Sequence, residues 1–511
     1  MDICMKRIVS LFLAGLFVFL AACGTDSKNI IKDDKDLKGT EVTETAENKA
    51  EATTKEEVQE TVGAAPTQAP LDSSYTVCSF DTSIKYQTID GFGAAYTWYS
   101  DWLFSCDDLE GAYDALFKDA KLSILRFKNE YEYVREDYAA NAATMVKYYE
   151  AAKKRTAEYG VEPLVLMSCW SPPRFLKRDN DISGKSTLKK DESGNYCYEE
   201  YADWWAEAIE YYQQQGLKID YICIQNEVDF AADYDGCRMD PVESEEFASY
   251  AKAHLAVYYK LQERFGADAP KILGPDSMSC VYSTINFYMR ELLENEPDSV
   301  AGLAHHLYVG GDNFINLMDL NTYYKDLKKW QSEFYASNAL KCANLINDCM
   351  IYENANAYLY WSGTWADENT SFEAGYLMGI KLGRANWIND TGWRLAGDYY
   401  AIRHFSEFVL PGYIRIKCSS KDKEVSASAF MNKDATKIAL VLINNSEEEK
   451  KYRIDGNGYK IAGSRLVQSI FGDECRSDEQ CFMDLGSLGR HYELTLPPKS
   501  VTTVDITGDG A

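Results

Sequence analysis

The stretch Ile219–Glu227 reads IDYICIQNE, an apolar run that ends abruptly in an amide and a carboxylate. Further along the chain, Trp330–Glu333 (WQSE) also ends in a carboxylate. In a parallel barrel, strands are short buried runs, and the residues at their carboxyl ends carry the chemistry. These two stretches therefore predict two barrel strands that each deliver an acid to the same rim.

Other short runs of similar character surround these two, and longer amphipathic, helix-like stretches separate them. The eight runs are Ile89–Tyr96, Leu122–Phe127, Pro163–Ser168, Ile219–Gln225, Lys271–Gly274, Gly302–Tyr308, Lys328–Glu333 and Ala357–Trp361. Eight strands alternating with helices predict an α/β fold of the (β/α)₈ TIM barrel type over residues 88–403. The alternative is an open doubly wound sheet. No Gly-x-Gly-x-x-Gly follows the first run, and polar or aromatic residues crowd the strand ends, so the barrel is preferred.

Beyond residue 403 the pattern changes to alternating strands separated by turn residues. Val425–Met431 and Lys437–Asn444 alternate with period two, and Leu494–Ile506, broken by Pro497-Pro498, is expected to form another strand pair. Residues 404–511 are therefore predicted to form a C-terminal β-sandwich attached to the barrel.

The N-terminal residues have the character of an export and anchoring segment. Lys6 and Arg7 precede the apolar run Ile8–Leu20, and Ala21-Ala22-Cys23 follows. Residues 1–22 resemble a lipoprotein signal peptide that leaves a lipidated Cys23; an ordinary signal or a short membrane anchor is the alternative. Residues 23–72, rich in Thr, Glu, Lys and Ala, are predicted to be a disordered linker. We expect the protein at the extracellular face of a bacterial cell membrane, held by its lipid.

Composition narrows the classes of partner. The chain has 511 residues, 46% of them hydrophobic and 13% aromatic, with a formal net charge of −27. This acidity argues against a nucleic-acid ligand, whose phosphates require cations. The abundance of aromatic residues suits a polysaccharide substrate, because aromatic rings pack on the C–H faces of sugars. The five His residues form no convincing metal-binding set, so we expect no metal or cofactor, and no protein partner is implied.

Several motifs, in collinear order, resemble glycoside hydrolase family 30. They are Thr88–Gly93 (TIDGFG), Trp170–Pro173 (WSPP), Gln225–Glu227 (QNE) and the terminal β-module, and the resemblance spans Tyr75 to Ile506. It implies a retaining enzyme in which the fourth-strand Glu227 is the acid/base and the seventh-strand Glu333 is the nucleophile. Glu353 is a rival for the second role. The resemblance also implies that residues 73–87, with the strand-like Tyr75–Phe80, join the β-sandwich.

Retaining chemistry gives the neighbouring residues specific expected roles. Arg126 and Tyr308 should hold Glu333 ionised, whereas Glu227 should lie in a more apolar wall with a raised pKa. Asn226 suits a hydrogen bond to the sugar 2-hydroxyl. Three further residues are predicted to contact substrate, although His306 could equally be a packed strand residue: Trp170, Trp361 and His306.

The resemblance favours an endo-β-1,4-xylanase acting on xylan or glucuronoxylan. The residues that favour this branch are Phe175-Leu176-Lys177, which follow the WSPP motif. Arg384 and Arg394 are candidates for binding a glucuronic acid branch. A β-1,6-glucanase or another β-glycosidase of the family is the alternative. A surface lipoprotein that binds glycans without cleaving them is the alternative of another class.

Overall fold

The computed structural model describes residues 74–132, 138–336, 338–367, 372–381, 391–472 and 477–508. The predicted signal peptide, Cys23, the whole of the predicted linker and Arg384 lie outside these ranges. Among the residues described, no helix is both long enough and apolar enough to cross a membrane.

Strand β1 (Thr76–Thr88) precedes a closed barrel of eight parallel strands. The barrel strands are β2 (Gly91–Ala95), β3 (Ile124–Lys128), β4 (Leu164–Ser168), β5 (Tyr221–Cys223), β6 (Lys271–Ser279), β7 (Gly302–Val309), β8 (Lys328–Glu333) and β9 (Ala357–Tyr360). Neighbours in the chain are neighbours in the barrel, and pairing of β2 with β9 closes it. Each strand overlaps one of the eight predicted runs, and the predicted barrel is confirmed.

Eight α-helices are described along the chain, most of them in the connections between barrel strands. They are α1 (Leu109–Tyr113), α2 (Tyr138–Thr156), α3 (Tyr198–Gln214), α4 (Tyr250–Phe265), α5 (Tyr282–Asn295), α6 (Phe314–Tyr323), α7 (Ala339–Asp348) and α8 (Gly397–Ser406). Side chains cap several of them: Ser249 accepts from the backbone N–H of Lys252 at the start of α4, and Asn338 accepts from that of Lys341 at the start of α7. Such caps satisfy N–H groups that have no partner within the helix.

The barrel interior changes from apolar to polar along the strands. An apolar cluster that includes Ile124, Leu166 and Trp330 fills the middle of the barrel. Further along the same strands come the buried polar residues Arg126 and Glu333. Because the apolar layer excludes water from below, the polar groups at the rim interact mainly with one another.

The remaining strands form two sheets. β10 (Thr364–Asp367), β11 (Met378–Lys381) and β12 (Trp393–Leu395) make a small sheet after the last barrel strand, which the sequence did not predict. The C-terminal strands are β13 (Ile414–Ser420), β14 (Val425–Met431), β15 (Lys437–Asn444), β16 (Lys450–Asp455), β17 (Ile461–Ile470), β18 (Met483–Gly486), β19 (Glu493–Leu496) and β20 (Ser500–Gly508). With β1 they form a curled sheet that encloses one apolar core, the predicted sandwich.

Strand β1 belongs to this C-terminal domain. It pairs antiparallel with β13 and parallel with β16, which is the association expected for the segment before the barrel. The two strands predicted within Leu494–Ile506 are present, but they do not pair with each other. β19 pairs with β16, whereas β20 lies between β15 and β17. Pro497 and Pro498 have no N–H to donate to a ladder, so the chain leaves one edge and re-enters the sheet elsewhere.

Candidate active site

The two predicted acids lie together at the carboxyl-end rim of the barrel. Glu227 follows β5 and Glu333 ends β8, and both side chains are buried. Ligand atoms of Glu227, His306 and Glu333 all lie within 4.8 Å of one another. The rival Glu353 does not join them: its Oε1 lies 2.8 Å from Nε2 of His305. The barrel therefore brings together Glu227 and Glu333.

Glu333 has the two partners that the sequence predicted. Arg126 donates from Nη1 to Oε2, and Tyr308 donates from its hydroxyl to Oε1 at 3.0 Å. Burial nevertheless raises the pKa of the Glu333 carboxyl, against the opposing charges of His306 and Arg126. The expected contacts are present, but the expectation that they dominate the pKa is not met, because desolvation of a fully enclosed carboxylate outweighs them.

Glu227 lies in a polar wall rather than the apolar one that we expected. Tyr234 donates from its hydroxyl to Oε2 of Glu227 at 2.6 Å, and Nδ1 of His306 lies 3.3 Å from Oε1. The backbone of Glu227 has φ 48°, in the left-handed region that non-glycine residues seldom adopt. Its N–H donates to the carbonyl of Asp276 at 2.8 Å, which holds this strained turn in place.

His306 sits between three carboxylates. Its Nδ1 also lies 3.8 Å from Oε1 of Glu333, and its Nε2 lies 3.4 Å from Oδ1 of Asp276. Burial alone would lower the pKa of His306, but these carboxylates raise it to about 10. The imidazole is therefore protonated at neutral pH. In this form both ring nitrogens carry a proton that can be donated to the surrounding carboxylates.

Asp276 belongs to this site and was missed from the sequence. It is completely buried and accepts hydrogen bonds from Nη2 of Arg126 at 3.0 Å and from the Ser332 hydroxyl at 2.6 Å. Although burial opposes ionisation, the charge of Arg126 and the hydrogen bond with His306 hold the pKa of Asp276 well below its usual range. Asp276 thus orients Arg126 and His306, the two cationic side chains beside Glu227 and Glu333.

Asn226 and the predicted aromatic residues line the same site. Oδ1 of Asn226 accepts from Nη2 of Arg126 at 2.7 Å. The rings of Trp170 and Trp361 lie 5.8 Å apart, and both contact Trp98, which was also missed. Trp170 is only 2% exposed and carries Arg126 over its ring, so the surface available to a sugar comes mainly from the half-buried Trp98 and Trp361.

A cavity of about 200 Å³ adjoins Trp98, between the loops after β2 and β3. It is lined in part by Lys128, whose ammonium lies 4.5 Å from the centre of the Trp98 ring and 2.7 Å from Oδ2 of Asp235. Glu130 lines the same cavity, with its carboxylate 3.5 Å from Lys128. The cavity thus shares Trp98 with the aromatic group formed by Trp170 and Trp361.

The charge of His306 predicts a pH dependence of stability. Its pKa is raised from 6.5 to about 10 on folding, so its contribution is fully present below pH 6.5 and is lost as the pH rises through about 10. Between pH 6.5 and about 10, the melting temperature of the wild type should fall. The corresponding fall in His306→Gln should be smaller by about a few degrees. Circular dichroism melts across the window measure this.

Two other histidines provide an internal contrast for this measurement. Burial lowers the pKa of His254 to about 4 and that of His404 to about 3, so both stay neutral throughout the window. The same pH dependence in His306→Gln and in the wild type would contradict a charged His306.

A closed barrel with a carboxylate pair at its rim and an attached β-sandwich is an arrangement found in glycoside hydrolases of the (β/α)₈ class. Residues 414–504 match the family model described as the glycosyl hydrolase family 30 beta sandwich domain. The putative glucosylceramidase 1 of Caenorhabditis elegans is 23% identical over 483 residues, covering 84% of this chain and 82% of that protein. Glucuronoxylanase XynC of Bacillus subtilis (strain 168) is 25% identical over 471 residues, covering 86% and 94%.

Solved structures agree with the fold. The catalytic domain of the family 30 xylanase C from Talaromyces cellulolyticus has a TM-score of 0.66 at 20% identity, covering 84% of this chain and 100% of that one. An endo-beta1,6-glucanase has a TM-score of 0.64 at 18% identity, covering 86% and 96%. Residues 414–504 thus match a domain of glycoside hydrolase family 30, and the fold of the chain is that of a family 30 xylanase, in agreement with the resemblance of its motifs.

Proposed function

We propose that the protein is a retaining β-glycoside hydrolase in which Glu333 is the nucleophile and Glu227 is the acid/base. The observation that carries this proposal is the proximity of the two carboxylates, with oxygens within 4.8 Å of each other. Retaining enzymes place their carboxyl groups about 5–5.5 Å apart, whereas inverting enzymes need about 6.5–9.5 Å to admit a water molecule.

The charges of the site support the assignment of roles. Arg126 and His306 are cationic, and Asp276 is anionic, so one ionised glutamate balances the group and a second would leave an excess negative charge. Although burial raises the pKa of Glu333, Arg126 and the Tyr308 hydroxyl both bind its carboxylate, so we assign the single charge to Glu333 and the acid/base role to Glu227.

The reaction then follows in two steps. In the first, Glu227 gives its proton to the leaving oxygen while a carboxylate oxygen of Glu333 attacks the anomeric carbon and forms a glycosyl ester. In the second, Glu227, now ionised, takes a proton from water, which attacks the same carbon and releases Glu333. Tyr308 donates to the attacking carboxyl, and Asn226 is placed beside it to meet the sugar 2-hydroxyl.

The first candidate substrate is the β-1,4-linked backbone of xylan. The similarity to glucuronoxylanase XynC and the fold of a xylanase support this choice. Arg394, which we considered for binding a glucuronic acid branch, donates from Nε to Oδ2 of Asp367 at 2.6 Å and from Nη2 to the Tyr376 hydroxyl. Because its charge is already neutralised, we do not assign it to a uronate. A β-1,6-glucanase is the second candidate, supported by the endo-beta1,6-glucanase of similar fold.

Purified protein with xylan, glucuronoxylan, the β-1,6-glucan pustulan and aryl β-glycosides tests the proposal. Release of reducing sugar from xylan supports the first candidate, and release from pustulan supports the second. Proton NMR of the first product establishes whether the anomeric configuration is retained. Affinity for a polysaccharide without any hydrolysis would instead favour the non-catalytic glycan-binding alternative.

We also propose that the enzyme acts at the outer face of the bacterial membrane through a lipid on Cys23. The support is the sequence Leu20-Ala21-Ala22-Cys23 and the long polar linker that follows. We expect Cys23→Ala to be released from membranes or to remain unprocessed, as measured by fractionation and by mass spectrometry of the N-terminus. Undiminished membrane retention of a processed Cys23→Ala protein would contradict the anchor.

A further inference from the structure

Two exposed aromatic side chains lie directly beside the acid/base. Tyr234 is 36% exposed, and its hydroxyl is the group that donates to Glu227. Phe230 is 37% exposed, and its N–H donates to the carbonyl of Glu227 at 2.9 Å. The two ring centres are 6.5 Å apart. Large exposed apolar side chains beside an active site mark a place where a ligand packs.

The segment that carries these rings is fixed rather than loosely attached. The backbone carbonyl of Tyr234 accepts from the N–H of Gly184 at 2.7 Å, and the N–H of Gly236 donates to the carbonyl of Ile182 at 3.0 Å. The backbone of Ala232 packs so closely on Gly184 that a Cβ on that glycine would come within 2.8 Å of its nitrogen. The rings therefore stand in place before any ligand binds, which reduces the entropic cost of binding.

The acid/base delivers its proton to the leaving oxygen, so groups that touch it border the leaving group and not the sugar that is attacked. The platform of Trp98, Trp170 and Trp361 gathers instead near Arg126, the partner of Glu333. The aromatic residues thus divide into two sets, one beside each catalytic carboxylate.

We propose that Phe230 and Tyr234 form a leaving-group subsite that binds a sugar unit, so that the enzyme cleaves within oligosaccharide or polysaccharide chains. This inference rests on the proposed hydrolase function and adds the class of leaving group to it. The surroundings favour a sugar over a lipid. Residues 229–235 read DFAADYD, and the three carboxylates that neighbour the rings in the chain are bound by polar groups: Asp229 by the N–H of Met278, Asp233 by Lys185 and Asp235 by Lys128. A sugar offers hydroxyl groups to carboxylates and C–H faces to rings, whereas an acyl chain would desolvate those carboxylates without compensation.

The test compares two classes of substrate with the same glycone. Neutral β-linked xylo-oligosaccharides or β-1,6-gluco-oligosaccharides carry a sugar as leaving group, and the matching 4-nitrophenyl glycosides carry a phenol. For Phe230→Ala we expect kcat/KM on the oligosaccharide, relative to the nitrophenyl glycoside, to fall by about tenfold, the size of one lost apolar contact. Phe230→Tyr keeps the ring and should restore the ratio. Phe287→Ala, which removes a 70% exposed ring from α5, is the matched control and should leave both rates unchanged.

Each outcome of this experiment is decisive. An equal loss on both substrates, or no loss on either, would overturn the subsite while leaving the hydrolase function intact. If cleavage of glucosylceramide in detergent micelles depends on Phe230 and cleavage of oligosaccharides does not, the subsite formed by Phe230 and Tyr234 binds a lipid instead of a sugar. If the wild-type protein cleaves none of these substrates, the proposed function itself fails and this inference fails with it.

Discussion

Glu333→Ala is expected to lower kcat/KM by about 10⁴-fold or more, because the variant has no group to form the glycosyl ester. Removing the carboxyl also leaves space beside Arg126 and Tyr308, which both contact it in the wild type. Azide added to the variant should occupy that space and attack the anomeric carbon directly. The product should therefore be a glycosyl azide of inverted configuration, which proton NMR identifies.

Glu353 provides a matched control for this variant. It is also a completely buried glutamate, but its carboxylate binds His305 and is not part of the group formed by Glu227, His306 and Glu333. Glu353→Gln keeps the size and the hydrogen-bonding capacity of the side chain, so we expect a folded protein that retains most of its activity. Loss of turnover in Glu353→Gln together with substantial activity in Glu333→Ala would reverse the assignment of the nucleophile.

The barrel could be predicted because its strands are buried on both faces and therefore stand out as short apolar runs. Strand β6 is an example of a strand that the apolar run predicts only in part. The predicted run stops at Gly274, yet the strand continues to Ser279 with irregular register after Pro275. A proline, an aspartate and serines read as a turn in the sequence, but here the aspartate is paired with Arg126 inside the barrel. A buried charge that depends on a partner 150 residues away leaves no local pattern.

The position of Glu227 and Glu333 at the rim could be predicted for a similar reason, whereas their surroundings could not. Each glutamate ends a strand-like run, so position along the chain was enough to find it. The wall around Glu227 depends on how the following segment folds back, which brings Tyr234 to the carboxylate seven residues behind it. Trp98 follows the first barrel strand and could have been found by listing the aromatic residues after every strand end. Its contacts with Trp170 and Trp361 required the closed barrel.

Glu227→Ala is expected to lower kcat/KM by about 10²–10⁴-fold on oligosaccharides, the usual contribution of a general acid. The loss should be much smaller for the first step with 2,4-dinitrophenyl glycosides, because that leaving group departs without a proton. In the second step, water attacks the glycosyl ester without Glu227 to accept its proton, so this step should be slow. The glycosyl enzyme should therefore accumulate, and product release should begin with a burst. Azide, which needs no base, should intercept this ester and yield a β-azide, the configuration opposite to that expected from Glu333→Ala.

The variant Tyr234→Phe distinguishes an effect on Glu227 as the proton donor from general damage to the site. It keeps the ring and removes the hydroxyl that donates to Oε2 of Glu227. A hydrogen bond to a carboxylate favours its charged form, so its removal should make Glu227 easier to protonate and move the alkaline limb of the pH–rate profile to higher pH. Glu227→Ala itself should lose that limb on 2,4-dinitrophenyl glycosides. An unchanged alkaline limb in Glu227→Ala, or azide products of the same configuration from both glutamate variants, would show that Glu227 is not the acid/base.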